Sequence, residues 1–146
     1  REVDGIWVSP LKRCRQTAEL LFPGMEQRIV PDLQECDFGD YECKTWEELK
    51  DEEIYRAWIG GDMTITFPHG ESMEHFIARC RSGIQTVAQE AKALGLERPA
   101  IVAHGGTWLV VMGTFGRPER KLYDWQVKTA EASECLRRKI PLLSNY

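Results

Sequence analysis

Two short apolar runs, "GIWVS" at residues 5–9 and "AIVAH" at residues 100–104, each pass within a few residues into a segment with helix signals. Continuous apolar runs of that length, bounded by turn-forming residues, read as strands buried on both faces. Such strands belong to parallel sheets, whose neighbours must be joined by long crossovers, usually helices. The stretch between the runs supplies one. Met73, Phe76, Ile77, Cys80, Ile84, Val87, Ala91 and Leu94 form a stripe at the helical period that ends at Gly95.

The other segments fit the same plan. Ser9 and Pro10 stand where an N-cap and a first helical residue belong, predicting a helix from Leu11 to about Phe22 that "FPG" ends. "RIVPDL" reads as a short extended piece and "QECDFGDYECK" as a structured loop. Thr45 and Glu48 form a capping box for one helix through "TWEELKDEEIYRAWI", stopped at Gly60 and Gly61, and Ser72 caps the striped helix. "AIVAH" is predicted to be a fully buried strand, "TWLVVMGTF" a short buried helix and "ASECLRR" a late strand. The order predicts one α/β domain over residues 1–146, a three-layer α/β/α sandwich with a mostly parallel sheet.

Composition narrows the partners. Apolar residues make up 42% of the 146, enough for a core, while the net charge of −4 provides no basic stripe for nucleic acid. No segment approaches the roughly 18 uninterrupted apolar residues of a membrane span. Nothing in the opening "REVDGIWVSP" reads as a signal peptide. The five cysteines are scattered and include no CxxC pair, which points to a reducing, cytoplasmic location.

In open α/β sheets ligands bind beyond the carboxyl ends of the strands, where "VSPLKR" and "VAHGGTW" both lie. His104 there ends a strand, Gly105 and Gly106 allow close backbone approach, and Thr107 begins a helix whose N-terminus suits an anion. A core histidine followed by a flexible turn fits the same letters. Lys12 and Arg13 fall in the first turn of the earlier helix, the unfavourable end for cations unless they serve an incoming anion, and a guanidinium matches phosphate oxygens as a planar fork. They also fit a solvated basic face. In "LQECDFGDYE", a loop carboxylate flanked by Cys36 and Phe38 would be partly desolvated, so that it holds a proton at neutral pH and can donate it, and Glu35 is the candidate. Asp37, Asp40 and Glu42 are solvated alternatives that sequence alone does not rank below it.

Other routes to phosphate chemistry are missing from these residues. No cysteine is followed six positions later by arginine, and neither GxxxxGK[ST] nor GxGxxG occurs. "HGESMEH" brings His69, Glu71 and His75 close in sequence, but Gly70 and the cap at Ser72 spread them over loop and helix, so no metal site is expected.

Taken in order, "SPLKRCRQTAELL", "LQECDFGDYECKTWEEL", "FPHGESMEHFIARC" and "AIVAHGGTWLVV" resemble the histidine phosphatase superfamily, also called phosphoglycerate mutase-like, over nearly the whole chain. The compact stretch between Glu35 and His104 looks most like the short bacterial phosphatases typified by α-ribazole phosphatase. The resemblance implies a phosphomonoester hydrolase that passes through a phosphohistidine and needs no cofactor or metal. Arg13 would clamp the phosphate, Glu35 would protonate the leaving alcohol, His104 would stabilise the transferring group and Gly105 would add its backbone N–H. The partner would be a small phosphorylated metabolite such as α-ribazole 5′-phosphate, of cobalamin biosynthesis, or inorganic phosphate, with a homodimer allowed and neither nucleic acid nor membrane involved. Specificity would come from Trp46, Tyr55, Trp58 and Phe67.

Family members open with a central strand ending in Arg-His-Gly, which carries the nucleophile, and that tripeptide does not occur here. "PHGES" matches a different family turn, so His69 does not replace it. The expectation is a phosphoglycerate mutase-like fold lacking its first central strand, inactive as the given chain alone. The alternatives are mutase-type phosphoryl transfer, a phosphate-binding pseudoenzyme, or His104 as its own nucleophile.

Overall fold

A computed structural model describes residues 2–116; the expected late strand at "ASECLRR" lies outside them. Strand β1 (Gly5–Val8) leads into helix α1 (Lys12–Leu21), and strand β2 (Gln27–Ile29) is followed by a 3-10 turn at Pro31–Leu33. After a second 3-10 turn (Gly39–Tyr41) come helices α2 (Trp46–Leu49), α3 (Glu53–Ile59) and α4 (Met73–Ala93), then strand β3 (Pro99–Val102) and helix α5 (Gly105–Phe115). These residues form two compact units, one holding the chain up to Glu35 and from Cys80 onward, the other Cys36–Arg79.

The first unit is built on a parallel sheet whose described strands run in the order β2-β1-β3. Trp7 lies opposite Arg28 on one side and Ile101 on the other, and Val8 opposite Ile29 and Val102. Because side chains alternate along a strand, β1 feeds two cores. Ile6 and Val8 pack with Cys14 and Ala18 of α1, while Trp7 packs with Val30, Leu33, Ile84, Val87 and Ala91. Trp7 also donates its indole N–H to Glu90 Oε2 at 2.6 Å, so its one polar atom is satisfied in the core. Helices thus cover both faces, and the α/β sandwich expected from sequence is the fold.

The expectation for β3 needs correction. It is not fully buried: its residues alternate between exposed and half-buried, and Ile101 is 39% exposed. Among the described strands β3 pairs with β1 alone, so one edge lacks the cover that β1 receives from two neighbours. In α4 the stripe is buried at Met73, Phe76, Cys80, Ile84, Val87 and Ala91, but Leu94 lies beyond the helix, mostly exposed, just before Gly95 turns the chain at φ 68°.

The second unit contains the predicted capping box, with Thr45 N–H donating to Glu48 at 2.7 Å. The helix it opens is two helices. Glu52 is extended (φ −73°, ψ 128°) and starts α3 afresh, placing Glu53 in a first turn where the helix dipole favours an acid. Phe38, Tyr41, Tyr55, Trp58 and Phe67 form an aromatic cluster with ring centroids 5.1–6.3 Å apart. Trp46 is exposed, with Lys50 Nζ 5.9 Å over its ring.

Candidate active site

The ends of β1 and β3 are pinned together. Ser9 N–H donates to Val102 O at 2.9 Å, which fixes Ser9 beside the residues leaving β3. Ser9 was expected to cap α1, but the N-cap position belongs to Leu11, which has no side chain able to cap. The Ser9 hydroxyl instead lies 2.7 Å from His104 Nε2, with both residues buried. A contact across 95 positions has joined the local one from the Leu11 N–H, 3.4 Å from the same oxygen.

His104 is extended (φ −121°, ψ 163°) and serves as the N-cap of α5, its carbonyl accepting the Trp108 N–H at 2.8 Å. The helix therefore begins at Gly105 and not at Thr107: the two glycines form its first turn. Arg13, exposed in the first turn of α1, brings Nη2 to 3.2 Å from His104 Nδ1. Cys14 lies against the same ring, with Sγ 3.5 Å from Nε2 and 3.7 Å from Nδ1, and its thiol donates to Ala103 O at 3.3 Å. Burial pushes the Cys14 thiol up from its ordinary range, against hydrogen bonding from Ser9 and the charge of Arg13.

Glu35 reaches the same helix end from the other side. The 3-10 turn buries Leu33, whose carbonyl accepts the Thr107 hydroxyl at 3.4 Å, and this holds the segment against the first turn of α5. Half-buried Glu35 then accepts the Gly106 N–H on Oε2 at 3.2 Å. A Cβ on Gly106 would sit 2.5 Å from Oε1, so glycine permits this approach. Phe38, expected to desolvate Glu35, directs its ring into the aromatic cluster. Gly105 is exposed at the helix start, with open space where a side chain would be.

Arg13 and His104 are thus in contact, and Glu35 sits on the backbone two residues beyond His104. Neither α1 nor α5 carries an acid in its own first turn; the positive end of α5 meets the Glu35 carboxylate through the Gly106 N–H. Asp37 and Asp40 are committed in the second unit, Asp37 to the Gly39 N–H and Asp40 to His69 at 2.9 Å, the contact that raises the His69 pKa. His75 pairs with Glu71 at 2.6 Å. Among the described residues no three His, Cys, Asp or Glu side chains gather as a metal site, and no helix is long and apolar enough to cross a membrane.

Residues 1–139 match the profile of the histidine phosphatase superfamily, branch 1. The chain belongs to that superfamily. A Hydrogenobacter thermophilus protein named as a candidate phosphoserine phosphatase is 34% identical over 111 residues, 73% of this chain and 53% of its own length. The adenosylcobalamin/alpha-ribazole phosphatase of Salmonella typhimurium is 29% identical over 130 residues, 86% of this chain and 63% of its own. The solved structure of phosphoglycerate mutase from Thermus thermophilus matches with a TM-score of 0.59 at 30% identity, covering 80% of this chain and 61% of that one. The fold is phosphoglycerate mutase-like, and the chain spans less than two thirds of the length of each of these proteins.

Two residues of this candidate site were missed from sequence, Ser9 and Cys14. Ser9 had a signal: it is the last residue of a strand's carboxyl end, the place where sheet ligands bind. Cys14 had none, since a buried cysteine on a helix reads as core.

Proposed function

We propose that this chain is part of a phosphomonoester hydrolase that acts through a phosphohistidine on a small phosphorylated metabolite, with α-ribazole 5′-phosphate the first substrate to test. The observation that carries this reading is the contact of the Arg13 guanidinium with the His104 ring at the start of α5. A cation, an imidazole and the N-terminus of α5 meet there, and phosphoryl transfer chiefly needs prepositioned donors around its equatorial oxygens.

In this reading a histidine from outside these 146 residues attacks phosphorus. The bond to the leaving oxygen breaks, and that oxygen takes a proton from Glu35. Arg13, His104 and the Gly105 N–H hold the phosphoryl oxygens. Water then attacks the phosphohistidine, gives its proton to the Glu35 carboxylate and releases inorganic phosphate. The edge of β3 beside His104, which has no second neighbour among the described strands, and the greater length of the relatives support a nucleophile of that origin.

The test uses the protein expressed from its complete reading frame. It should hydrolyse an aryl phosphate in the presence of chelator and form an acid-labile phosphoenzyme; activity that chelator abolishes would sink the reading. Glu35→Gln should slow esters of poor leaving groups by about 10²–10⁴ and aryl phosphates far less. Gly106→Ala should mimic it more mildly. The new methyl pushes the carboxylate aside, while helix propensity gains up to about 1 kcal/mol, so thermal stability should hold as turnover of poor leaving groups falls. Equal losses for all leaving groups would remove Glu35 from the acid role.

A second reading rests on the Arg13–His104 contact alone, a phosphate-binding protein without turnover. Saturable binding of inorganic phosphate or a phosphoester by the complete protein, with no product release, would establish it.

A further inference from the structure

Each ring nitrogen of His104 has a hydrogen-bond partner that constrains where its proton sits. Arginine carries donors and no acceptor, so the Arg13 contact at 3.2 Å requires Nδ1 to accept. The neutral ring then has its proton on Nε2, pointing at Ser9 Oγ 2.7 Å away. A serine hydroxyl could also donate to Nε2, but that would leave both ring nitrogens as acceptors, which a neutral imidazole does not allow once Arg13 occupies Nδ1. The Cys14 thiol beside the ring donates to Ala103 O at 3.3 Å. The Leu11 N–H approaches Ser9 Oγ at 3.4 Å, a second group that treats the oxygen as acceptor. Ser9 is 0% exposed.

We propose that Ser9 is a positioning residue that locks His104 in the Nε2–H tautomer and aims Nδ1 at the mouth of the site. The proposal rests on the reading of His104 as the group that meets the transferring phosphoryl. When a phosphate anion takes the Arg13 N–H, Nδ1 is the ring atom left to accept a proton from solvent and donate it to a phosphate oxygen, while Nε2–H stays on Ser9. Among the described residues, titratable groups that face the ring include Arg13 and Cys14 of α1, with Glu35 reaching the adjacent turn through Gly106. Such an anchored second nitrogen gives an imidazole one orientation instead of two.

Long-range nitrogen–proton NMR correlation on the ¹⁵N-labelled protein expressed from its complete reading frame tests this, with the His104 signals assigned by their loss in His104→Gln. The wild-type ring should show a single Nε2–H tautomer with a slowly exchanging proton. Ser9→Ala should give a tautomer mixture and faster exchange, and Ser9→Thr, which keeps the hydroxyl, should restore the wild-type pattern. Titration with inorganic phosphate should add a proton at Nδ1 in the wild type and show affinity about tenfold weaker in Ser9→Ala. An Nδ1–H tautomer in the wild type overturns the proposal, as does a folded Ser9→Ala chain with unchanged tautomer and exchange. If Ser9→Ala does not fold, the wild-type tautomer and the Ser9→Thr pattern decide. Failure of the wild-type chain to bind phosphate would count against the functional reading, leaving the tautomer result to stand or fall separately.

Discussion

Arg13→Ala is expected to lower kcat/KM for small phosphomonoesters by about 10²–10³, the loss seen when one prepositioned donor is taken from a developing oxyanion. The side chain is exposed and hangs from the first turn of α1 with its guanidinium on His104 Nδ1, so it contributes little to packing. Thermal stability should therefore move by no more than about 0.5 kcal/mol, as for most surface substitutions. Arg13→Lys should recover only a small part of the activity. A lysine ammonium keeps the charge but loses the planar fork that holds two phosphate oxygens at once. The loss should fall on both kcat and KM, because the fork meets the phosphate in the ground state and tightens as charge spreads over the equatorial oxygens. Steady-state kinetics of the protein from its complete reading frame, on an aryl phosphate with chelator present, measures this. An Arg13→Ala enzyme within about twofold of wild type would show that the contact with His104 is structural and would remove the clamp from the mechanism.

The parts of this site legible in sequence are those set by local chemistry. An apolar run followed by a first turn of basic residues placed Arg13, and the capping box at Thr45 and Glu48 formed as spaced. What sequence misassigned is what tertiary contacts decide. Ser9 had the right residue type for a local cap, yet its shorter hydrogen bond goes to a partner 95 positions away, with the Leu11 N–H at 3.4 Å. Gly105 and Gly106 read as a flexible turn because glycine disfavours helix by about 1 kcal/mol, but His104 takes the cap position and Glu35 accepts the Gly106 N–H, which draws both glycines into α5. The apolar content of "AIVAH" was a fair signal for a strand. It could not report that only one described neighbour covers that strand, since burial is a property of the neighbours. The break before α3 was hidden for a related reason: "EELKDEEIY" is rich in helix formers, and the restart at Glu52 is a backbone choice that composition does not encode.

The second large effect concerns stability in acid, and it lies in the unit formed by Cys36–Arg79. The Glu71 side chain is 9% exposed and accepts two N–H groups of Arg79, at 2.8 and 2.9 Å, the His75 ring at 2.6 Å and the Asp37 N–H at 3.3 Å. Burial is the strongest single influence and acts to raise its pKa, but the hydrogen bonds from Arg79, His75 and Asp37 together outweigh it and hold the carboxyl at about 2, against an ordinary 4.5. A carboxyl depressed by folding stabilises the native state fully above its unfolded pKa, and that contribution disappears as pH falls toward the folded value. Stability should therefore drop between about pH 4.5 and pH 2, by roughly 3 kcal/mol from this group. Glu71→Gln should cost about 3–5 kcal/mol at pH 7, because Arg79, itself only 16% exposed, loses the carboxylate beneath it. The same variant should show a flatter acid limb, since the titrating group is gone. Denaturant unfolding from about pH 7 to about pH 2 measures both effects. A Glu71→Gln protein that is weakened at neutral pH but keeps the wild-type slope below pH 4.5 would place the acid sensitivity elsewhere, whereas loss of slope with loss of stability ties both to this one buried carboxylate.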